Sequence, residues 1–340
     1  MVPAPLVSVV TPVYNGAEHL AECIESVLRQ TYPNWEYVIV DNASSDGSAD
    51  VAEHYSARDS RIRVIRAREF VDVHRSHNRA LRASDARSRY CKVIDADDWI
   101  YPECLERMVS VAEQHPSVGV VSAYRLYADR VDLDGIIPYW QTFVHGRDVV
   151  RQAMLAPAWR GWITGSPTSL LFRRDLVTRS PEFYDRRFWH SDTDATFRLL
   201  LESDLGFVHQ VLTFTRCSRP GSLMNITDRV NSFKPQEGRL VVRYGPKVLN
   251  RAEYRRRLHR WLAAYAWYLG SQRLKPSRRS DQEFHAFHQR EIDYLLEEAG
   301  DDYELRAALW ALRGLLARRT ALDNQARSNE NIPAAISSAA

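Results

Sequence analysis

Short apolar runs alternate with helical apolar spacing over the first 125 residues of the 340-residue chain. The stretch LVSVVTPVYN is a β-branched run that ends in a polar turn, which predicts a buried strand. Leu20, Ile24 and Leu28 then recur at helical spacing, with Asn15 available as a helix cap. Further strands are predicted in EYVIVD, IRVIRA and YCKVID, with a helix containing Asn78 before the last. This alternation predicts an α/β fold with a mostly parallel, doubly wound sheet and flanking helices.

The pattern changes twice further along the chain. VGVVSAYRLY predicts a strand, GSPTSLLFRRDLV a loop that leads into a strand, and WHSDTDATFRLLLESD a helix. Past residue 250, apolar residues at helical spacing predict two helices, and the last twenty residues are small and polar. We therefore predict an α/β domain over residues 1–249, a C-terminal helical subdomain over 250–320 and a disordered tail over 321–340.

Composition narrows the class of protein. Hydrophobic residues make up 45% and charged residues 26% of the chain, as in ordinary globular proteins, and the net charge of +3 is too small to predict nucleic-acid binding. Four scattered cysteines without a C-x-x-C pair favour reduced thiols in the cytoplasm. We find no signal-peptide pattern and no run of about twenty apolar residues, so we expect a protein that stays inside the cell.

Three polar loops follow predicted strands, over residues 11–16, 41–48 and 95–99. In doubly wound sheets the carboxyl ends of parallel strands meet at one edge, where ligands bind. The three loops are therefore predicted to form one site.

The third loop carries Asp95, Asp97 and Asp98 within KVIDADDWIYP. Carboxylates this close repel each other, but a hard divalent cation such as Mg²⁺ or Mn²⁺ accepts one or two of them together with substrate phosphates. The alternative is that Asp97 or Asp98 caps a helix that begins near Pro102. A cap accounts for one aspartate and not for three, so we favour the cation.

Two other acidic patterns leave alternatives open. Asp41, directly after a strand, is suited to accept a hydrogen bond from a base or ribose, but VDNASSDGS is also a favourable polar turn. Asp192 and Asp194 precede a predicted helix, where two acids are explained by the helix dipole as readily as by a general base.

Taken together, VSVVTPVYNG, VDNASSDGS, NRAL and YCKVIDADDWIYPECL resemble the family-two glycosyltransferases of GT-A fold. The resemblance is strong over residues 6–125 and continues more weakly, through SDTDATFRLL and LTFTR, to about residue 216. It implies a Rossmann-like GT-A catalytic domain over residues 1–249, with a nucleotide half over 1–125 and an acceptor half over 126–249.

The resemblance also implies roles for individual residues. Nucleotide-sugar contacts are expected from Thr11, Pro12, Tyr14, Asp41, Asn78 and Asp95. Asp97 is expected to bind Mn²⁺ or Mg²⁺, and Asp192 to act as the catalytic base. Supporting roles fall to Asp98, Asp194 and Arg216, with Arg173 or Arg174 as further cations near the phosphates.

The sequence departs from the family pattern at two of these places. The Glu of the family's Glu-Asp pair is replaced by Ser191, which makes Asp194 the reserve candidate for the base. The Arg that often precedes the Asn of the middle helix is replaced by His77.

The activity implied is that of an inverting, metal-dependent glycosyltransferase in cell-surface polysaccharide or glycan synthesis. The expected donor is a nucleotide sugar, most simply a UDP-sugar, and the expected acceptor is a glycan or a lipid-linked hydroxyl. Ser191 motivates an alternative, a degenerate module that binds a nucleotide sugar without turnover. A nucleotidyltransferase would need a basic, glycine-rich phosphate loop, which TPVYNGAEHL does not provide.

Two aromatic regions have a structural and a functional interpretation each. WRGWITGSP and FYDRRFWH could stack on an acceptor sugar or form a hydrophobic core. NRAEYRRRLHRWLAAYAWYLG could lie on an anionic membrane through its arginines and aromatic rings, or could pack its apolar stripe on the catalytic domain. For the latter stretch we favour packing, with at most a salt-sensitive peripheral membrane contact.

Overall fold

The computed structural model of the chain describes residues 4–132, 137–156, 165–217, 223–279, 281–314 and 316. These fall into two compact units, Met1–Arg219 and Pro220–Ala340. The first unit contains a ten-stranded sheet and seven α-helices among its described residues. Its fold class is the predicted one, α/β with flanking helices.

The strands of this sheet are β1 Val7–Val13, β2 Trp35–Asp41, β3 Ile62–Arg66, β4 Tyr90–Val93, β5 Trp99–Ile100, β6 Val118–Tyr127, β7 Arg130–Asp132, β8 Phe143–Val144, β9 Leu171–Arg173 and β10 Asp204–Thr215. The main path through the sheet is β3-β2-β1-β4-β9-β6-β10-β5. Strands β3, β2, β1 and β4 are parallel, as are β6 and β10. Strand β9 runs antiparallel between β4 and β6. Strand β5 is antiparallel to β10 at the end of this path, and the short strands β7 and β8 pair antiparallel with β6 and β10 off the path.

The helices of the first unit are α1 Ala17–Leu28, α2 Ser48–Ser56, α3 Val73–Arg82, α4 Cys104–Gln114, α5 Gly146–Leu155, α6 Arg174–Val177 and α7 Ser191–Leu200. The predicted alternation of strands and helices from β1 to β4 and the predicted strand β6 are therefore confirmed, whereas β5 and α4 were not predicted. Strand β1 is buried along its whole length, since helices cover both faces of a parallel sheet. Val9 and Val13 of β1 pack in one core with Leu20 and Ile24 of α1.

The stretch GSPTSLLFRRDLV differs from its prediction. A single 3₁₀ turn, Pro167–Ser169, precedes a strand of only three residues, and the chain then enters the short helix α6. This turn stands beside the carboxyl end of β4, where the Thr168 hydroxyl accepts from the Asp95 amide.

The second unit is helical: α8 Leu223–Val230, α9 Phe233–Val248, α10 Arg251–Arg273, α11 Pro276–Arg279, α12 Gln282–Glu298 and a last helical stretch over 303–314. The predicted boundary at 249/250 lies inside this unit rather than at its start, because α9 packs against α10 and α12. Gly238 of α9 makes this packing close, since a Cβ there would fall 2.0 Å from the Trp261 ring. The predicted tail over 321–340 lies outside the described residues.

Helix α10 begins with a capping box formed by Asn250 and Glu253. Three residues of its apolar stripe are buried: Leu258, Trp261 and Tyr265 are at most 5% exposed. The contacts identified lie within the helical unit, where the Trp261 indole donates to the Lys234 carbonyl at 2.8 Å. None of the described helices is long and apolar enough to cross a lipid bilayer.

Candidate active site

The loops after β1 and β2 are joined at the predicted edge of the sheet. The amides of Asn15 and Gly16 donate to the hydroxyls of Ser44 and Ser48 at 3.0 and 2.9 Å. The amide of Ala17 donates to the Asp46 carboxylate at 2.9 Å. The first two polar loops are therefore linked into one rim, as predicted from the carboxyl ends of parallel strands.

Asn15 does not cap α1, contrary to the sequence prediction. Its backbone has a φ of 48°, in the left-handed region that Asn tolerates, and its side-chain oxygen accepts from the Ser45 amide at 2.9 Å. The N-cap is Gly16, which makes no side-chain cap. The side chain of Asn15 thus holds the second loop instead of the helix.

Among the three residues predicted to face the nucleobase, only Tyr14 is exposed. Thr11 is completely buried, and its hydroxyl lies 2.9 Å from that of Tyr37, so its side chain belongs to the core. Pro12 is buried as well. Tyr14 is 49% exposed, with its ring 4.6 Å from that of Phe70.

Phe70 was missed by the sequence analysis. It lies in the loop after β3 and is 57% exposed, so two aromatic rings stand together at the rim. A lone aromatic in the polar stretch AREFVD directly after a predicted strand was the available signal. The adjoining residue Val71 is fixed by the buried Asn42 side chain, which donates to its carbonyl at 2.7 Å and accepts from its amide at 3.1 Å.

Asp41 ends β2 and is 3% exposed. Its two carboxylate oxygens lie 3.4 and 3.3 Å from the Ser44 amide, which donates to them. The polar-turn interpretation therefore describes the contacts of Asp41 in the structure. Its place at the carboxyl end of β2 puts it at the same edge of the sheet as the other two loops.

The three aspartates after β4 have different surroundings. Asp95 and Asp97 are partly exposed, whereas Asp98 is 3% exposed. Asp98 accepts from the Thr168 hydroxyl at 2.6 Å and from the Arg216 amide at 2.9 Å. Neither Asp97 nor Asp98 caps a helix, because α4 begins at Cys104 behind the N-cap Glu103. Two carboxylates are thus left at the surface, and the third is part of the supporting structure.

Burial is the main reason that the pKa of Asp98 lies well above its usual range, and the charges of Asp95 and Asp97 raise it further. The hydrogen bonds from Thr168 and Arg216 act in the opposite direction. Arg216 also donates through Nε to the Asp97 carbonyl at 3.1 Å and pairs with Glu22 at 2.6 Å. The predicted supporting role of Arg216 therefore has a structural counterpart beside the aspartates.

His77 occupies the place where the family often has Arg, and it contacts Asp95. Its Nε2 lies 2.8 Å from Asp95 Oδ1, and its Nδ1 lies 2.8 Å from the Val73 carbonyl. Burial by itself lowers the pKa of His77, but the hydrogen bond to Asp95 and the charges of Asp95 and Asp192 raise it above its usual value. An imidazole with a raised pKa thus takes the position of the arginine.

Asp192 lies in the first turn of α7, where the Thr193 amide donates to its Oδ1 at 2.8 Å. Burial raises its pKa to about 6 and Asp95 adds to the shift, while the Thr193 amide and the charge of Arg125 oppose it. Asp194, the reserve candidate, is completely buried, with Arg198 3.7 Å from its carboxylate. Asp192 is therefore the better placed of the two for proton transfer.

Arg125 of β6 was also missed. Its side chain is 8% exposed, its guanidinium donates to Asp132 at 3.0 and 2.6 Å, and its charge lowers the pKa of Asp192. An arginine inside the otherwise apolar run VGVVSAYRLY was the available signal.

Three predicted contacts are placed elsewhere by the structure. The Asn78 amide group donates to the Tyr184 carbonyl and accepts from the Tyr184 amide, both at 2.9 Å, so the side chain fastens a loop instead of facing a nucleotide. In the antiparallel pair of β4 and β9, Arg173 stands opposite Tyr90 at the beginning of β4, whereas Asp95 follows the other end of that strand. Arg174 donates to Ser84 at 3.1 Å. Neither arginine is beside the aspartates.

The aromatic stretch FYDRRFWH is mostly core. Phe183, Tyr184 and Phe188 are each at most 2% exposed, which supports the structural interpretation for these rings. The tryptophans of WRGWITGSP lie outside the described residues. Tyr139 and Trp140, 78% and 70% exposed, form an exposed pair with ring centroids 5.1 Å apart.

The chemistry of Asp95 and Asp97 suits a divalent cation. In the part of the chain that the structure describes, no three or more His, Cys, Asp or Glu side chains are grouped to hold a metal ion. Mg²⁺ and Mn²⁺ do not need such a cage, because they commonly bind one or two carboxylates and complete their octahedron with phosphate oxygens and water. Two partly exposed carboxylates at a strand end fit that requirement.

Comparisons with known proteins agree with this geometry. Residues 8–158 match the family model described as Glycosyl transferase family 2. The chain is similar to the glycosyltransferase GlyG of Streptococcus pneumoniae, with 28% identity over 228 residues that cover 64% of this chain and 73% of GlyG. It is also similar to MT1568 of Mycobacterium tuberculosis, with 31% identity over 62% of this chain and 67% of that protein.

Two solved structures share the fold. TarS 1–349 of S. aureus, in complex with UDP-GlcNAc, has a TM-score of 0.61 and 16% identity, covering 93% of this chain and 87% of that one. The mannosyltransferase PcManGT of Pyrobaculum calidifontis, in complex with GDP-Man and Mn²⁺, has a TM-score of 0.55 and 17% identity, covering 95% of this chain and 88% of that one. At these identities the likeness shows the fold, which is GT-A.

Proposed function

Because the chain belongs to glycosyltransferase family 2 and is a glycosyltransferase, we propose that it is an inverting, metal-dependent enzyme that moves a sugar from a nucleotide donor to an acceptor hydroxyl. The observation that carries this proposal is the pairing of two kinds of carboxylate at one sheet edge. Asp95 and Asp97 are partly exposed after β4, and Asp192, which is also partly exposed, has a pKa that desolvation raises to about 6. A carboxyl group with a raised pKa beside candidate metal ligands is typical of acid–base sites.

In this mechanism Asp192 is the general base. Its carboxylate takes the proton from the acceptor hydroxyl as that oxygen attacks the anomeric carbon, and the nucleoside diphosphate leaves from the opposite face of the sugar. This in-line geometry inverts the anomeric configuration. A base whose pKa lies close to the working pH is efficient because it is mostly deprotonated yet still basic.

The donor is expected to lie along the rim formed by the first two loops. Tyr14 and Phe70 offer two exposed rings for the nucleobase, and Asp41 ends the neighbouring strand. Asp97, with Asp95 beside it, would hold Mn²⁺ or Mg²⁺. Such an ion, when bound, would neutralise the diphosphate and make it a better leaving group.

The pair of Asp95 and His77 is expected to face the ribose side of the donor. Arg216, beside the Asp97 carbonyl, adds positive charge close to the expected position of the diphosphate. The neighbours TarS and PcManGT were solved with UDP-GlcNAc and GDP-Man respectively. UDP-sugars and GDP-sugars are therefore both candidate donors, and we propose a UDP-sugar as the first choice.

A degenerate binding module is the second candidate, and Ser191 in place of the expected Glu is the observation that favours it. A donor screen separates the two functions. UDP-, GDP- and dTDP-sugars are incubated with the protein and Mn²⁺, and nucleotide release is measured. We expect release from at least one donor, stimulated by an acceptor glycan. Binding of a donor without release or transfer would favour the module.

We further propose that the acceptor belongs to a cell-surface polysaccharide and that the enzyme works on the cytoplasmic side of the membrane. The name of GlyG describes a bacterial glycosyltransferase, and the four free cysteines suit a reducing compartment. The exposed Tyr139–Trp140 pair is a candidate platform for an acceptor sugar, because aromatic faces stack on sugar rings.

The solvent face of α10 favours a weak membrane contact. Arg256 and Arg260 are exposed near one end of this face, and Trp267 and Leu274 are 75% and 80% exposed further along it. These four positions recur at helical spacing, so they form one stripe opposite the buried residues. Arginines attract anionic headgroups, and tryptophan favours the headgroup level.

We expect the protein to sediment with vesicles that contain phosphatidylglycerol at low salt and to be released at about 0.5 M salt, where charges are strongly screened. Arg256→Glu/Arg260→Glu should abolish this binding. Arg58→Glu/Arg186→Glu changes the net charge equally at exposed positions of the first unit and should retain it. Binding that survives high salt, or equal loss in both variants, would contradict the proposed contact.

A further inference from the structure

Lys92 is a completely buried lysine in β4, three residues before Asp95. Lysine is seldom buried, because its charge loses the stabilisation of water. Its Nζ donates to the carbonyls of Thr168 and Leu170 at 2.5 and 3.2 Å and lies 3.8 Å from the Met108 sulfur. The Nζ group therefore fastens the 3₁₀ turn at 167–169 to the strand that precedes the aspartates.

Thr168 extends this attachment into the loop of the aspartates. Its hydroxyl is completely buried, accepts from the Asp95 amide at 3.1 Å and donates to Asp98 Oδ2 at 2.6 Å. The other oxygen of Asp98 accepts from the Arg216 amide, and Arg216 Nε donates to the Asp97 carbonyl. The backbone is thus held at Asp95 N–H and at Asp97 C=O, on either side of Ala96.

These contacts fix the direction of the two exposed carboxylates without touching a substrate. Lys92 has no exposed surface, so it cannot bind the donor itself. The carboxylates of a metal site must be held in a narrow range of positions by the groups behind them, and losing such a group typically costs about 10- to 100-fold in metal affinity or activity. A lysine that only filled the core would affect stability alone.

We propose that Lys92 is a positioning residue for the metal-and-diphosphate loop at Asp95–Asp97, acting through the Thr168 hydroxyl and the buried Asp98 carboxyl. The proposal rests on the proposed function, because it assigns the residues that hold the loop which that function uses. Asp98, which the family resemblance left as a supporting residue, then acts from behind the loop and not as a third ligand.

The test compares two variants that break the link at different points. Lys92→Met keeps the length of the side chain and removes its donors, and Thr168→Val keeps the shape of the side chain and removes its hydroxyl. Val93→Ala is the control, because it weakens the packing of the same buried strand and leaves the link intact. The binding of Mn²⁺ in the presence of UDP or GDP is measured from the electron paramagnetic resonance signal of free Mn²⁺. Thermal unfolding is measured on the same proteins.

We expect Lys92→Met and Thr168→Val each to raise the half-saturating Mn²⁺ concentration about tenfold or more. The double variant should be little worse than either one, because both break one link. Thr168→Ser, which restores the hydroxyl, should recover most of the affinity. Val93→Ala should lower the unfolding temperature with Mn²⁺ binding unchanged. If Lys92→Met does not fold, the comparison of Thr168→Val with Thr168→Ser still decides the matter.

The inference is overturned if the wild-type protein binds Mn²⁺ with nucleotide and Lys92→Met and Thr168→Val bind it equally well. It is also overturned if their effects simply add in the double variant. A wild-type protein that shows no Mn²⁺-dependent nucleotide binding would instead overturn the proposed function, and the inference with it.

Discussion

Asp97→Asn is expected to lower turnover at least about a hundredfold, equivalent to roughly 3 kcal/mol of activation free energy, with the fold intact. The neutral amide cannot replace a carboxylate in a cation site that has only one or two protein ligands. Asp97 is partly exposed, so the substitution leaves the core undisturbed. Turnover of the screened donor in Mn²⁺ and the thermal unfolding temperature are the two measurements.

Asp50→Asn is a suitable control for this variant. Asp50 is an exposed acid in the first turn of α2 that pairs with Arg66 at 2.8 Å, outside the rim. It should keep normal turnover while removing the same charge. An Asp97→Asn protein that turned over donor at a near-normal rate in Mn²⁺ would show that Asp97 is not the metal ligand.

Asp192→Asn is expected to lower transfer by about 10² to 10⁴-fold while donor binding is retained. Removal of the base affects proton abstraction, whereas the donor is held by the loops after β1, β2 and β4. Transfer to the acceptor and binding of UDP or GDP are measured on the same preparation. Asp194→Asn is the comparison, because it alters a neighbouring acid of the same helix turn. If Asp194→Asn were inactive and Asp192→Asn active, the general base would be Asp194 instead of Asp192.

The pH dependence of the transfer rate is a second test of the role of Asp192 as the general base. Burial raises its pKa to about 6, so the fraction of base that is deprotonated, and with it the transfer rate, should fall as the pH drops below about 6. Charged or titratable neighbours that interact with it are Arg125, Asp95, His77 and Tyr184. Because His77 also has a raised pKa, the pH profile of the wild type alone does not assign the titration to Asp192. In Asp192→Asn, the fall of the residual transfer rate at low pH should disappear.

The positions of the strands along the chain could be predicted from the sequence, because buried parallel strands are continuous apolar runs with polar ends. β1, β2 and β4 each end at the polar loop that the pattern marked, and the loops then meet by the geometry of a parallel sheet. The boundary of the helical unit was less readable. Helices α8 and α9 follow the first unit without a composition break, and only their packing on α10 and α12 assigns them to the helical unit.

Site residues were predicted where the backbone position decides the role and mispredicted where side-chain direction decides it. Tyr14 and Thr11 lie three residues apart, yet one is at the rim and the other bonds to Tyr37 in the core. Asn78 faces the Tyr184 backbone because a loop 106 residues later packs on α3. Such contacts depend on distant segments, which local pattern does not encode.

Arg125 and Lys92 are two further residues whose contacts depend on distant segments. Both are charged residues within apolar strands, and both are buried beside the site. Their partners, Asp132 for Arg125 and the carbonyls of Thr168 and Leu170 for Lys92, come from other segments. A charge inside a predicted buried strand is therefore a useful signal of a functional site, although the sequence does not name its partner.

The central claim is that transfer depends on a divalent cation held at Asp97, and the most direct test is metal removal and restoration. With the donor selected by the screen, the transfer rate is measured before chelation, after chelation and removal of the chelator, and after addition of Mn²⁺ or Mg²⁺. We predict that chelation abolishes transfer and that Mn²⁺ restores it in the wild type but not in Asp97→Asn. Transfer that continues at an unchanged rate without metal would contradict the claim.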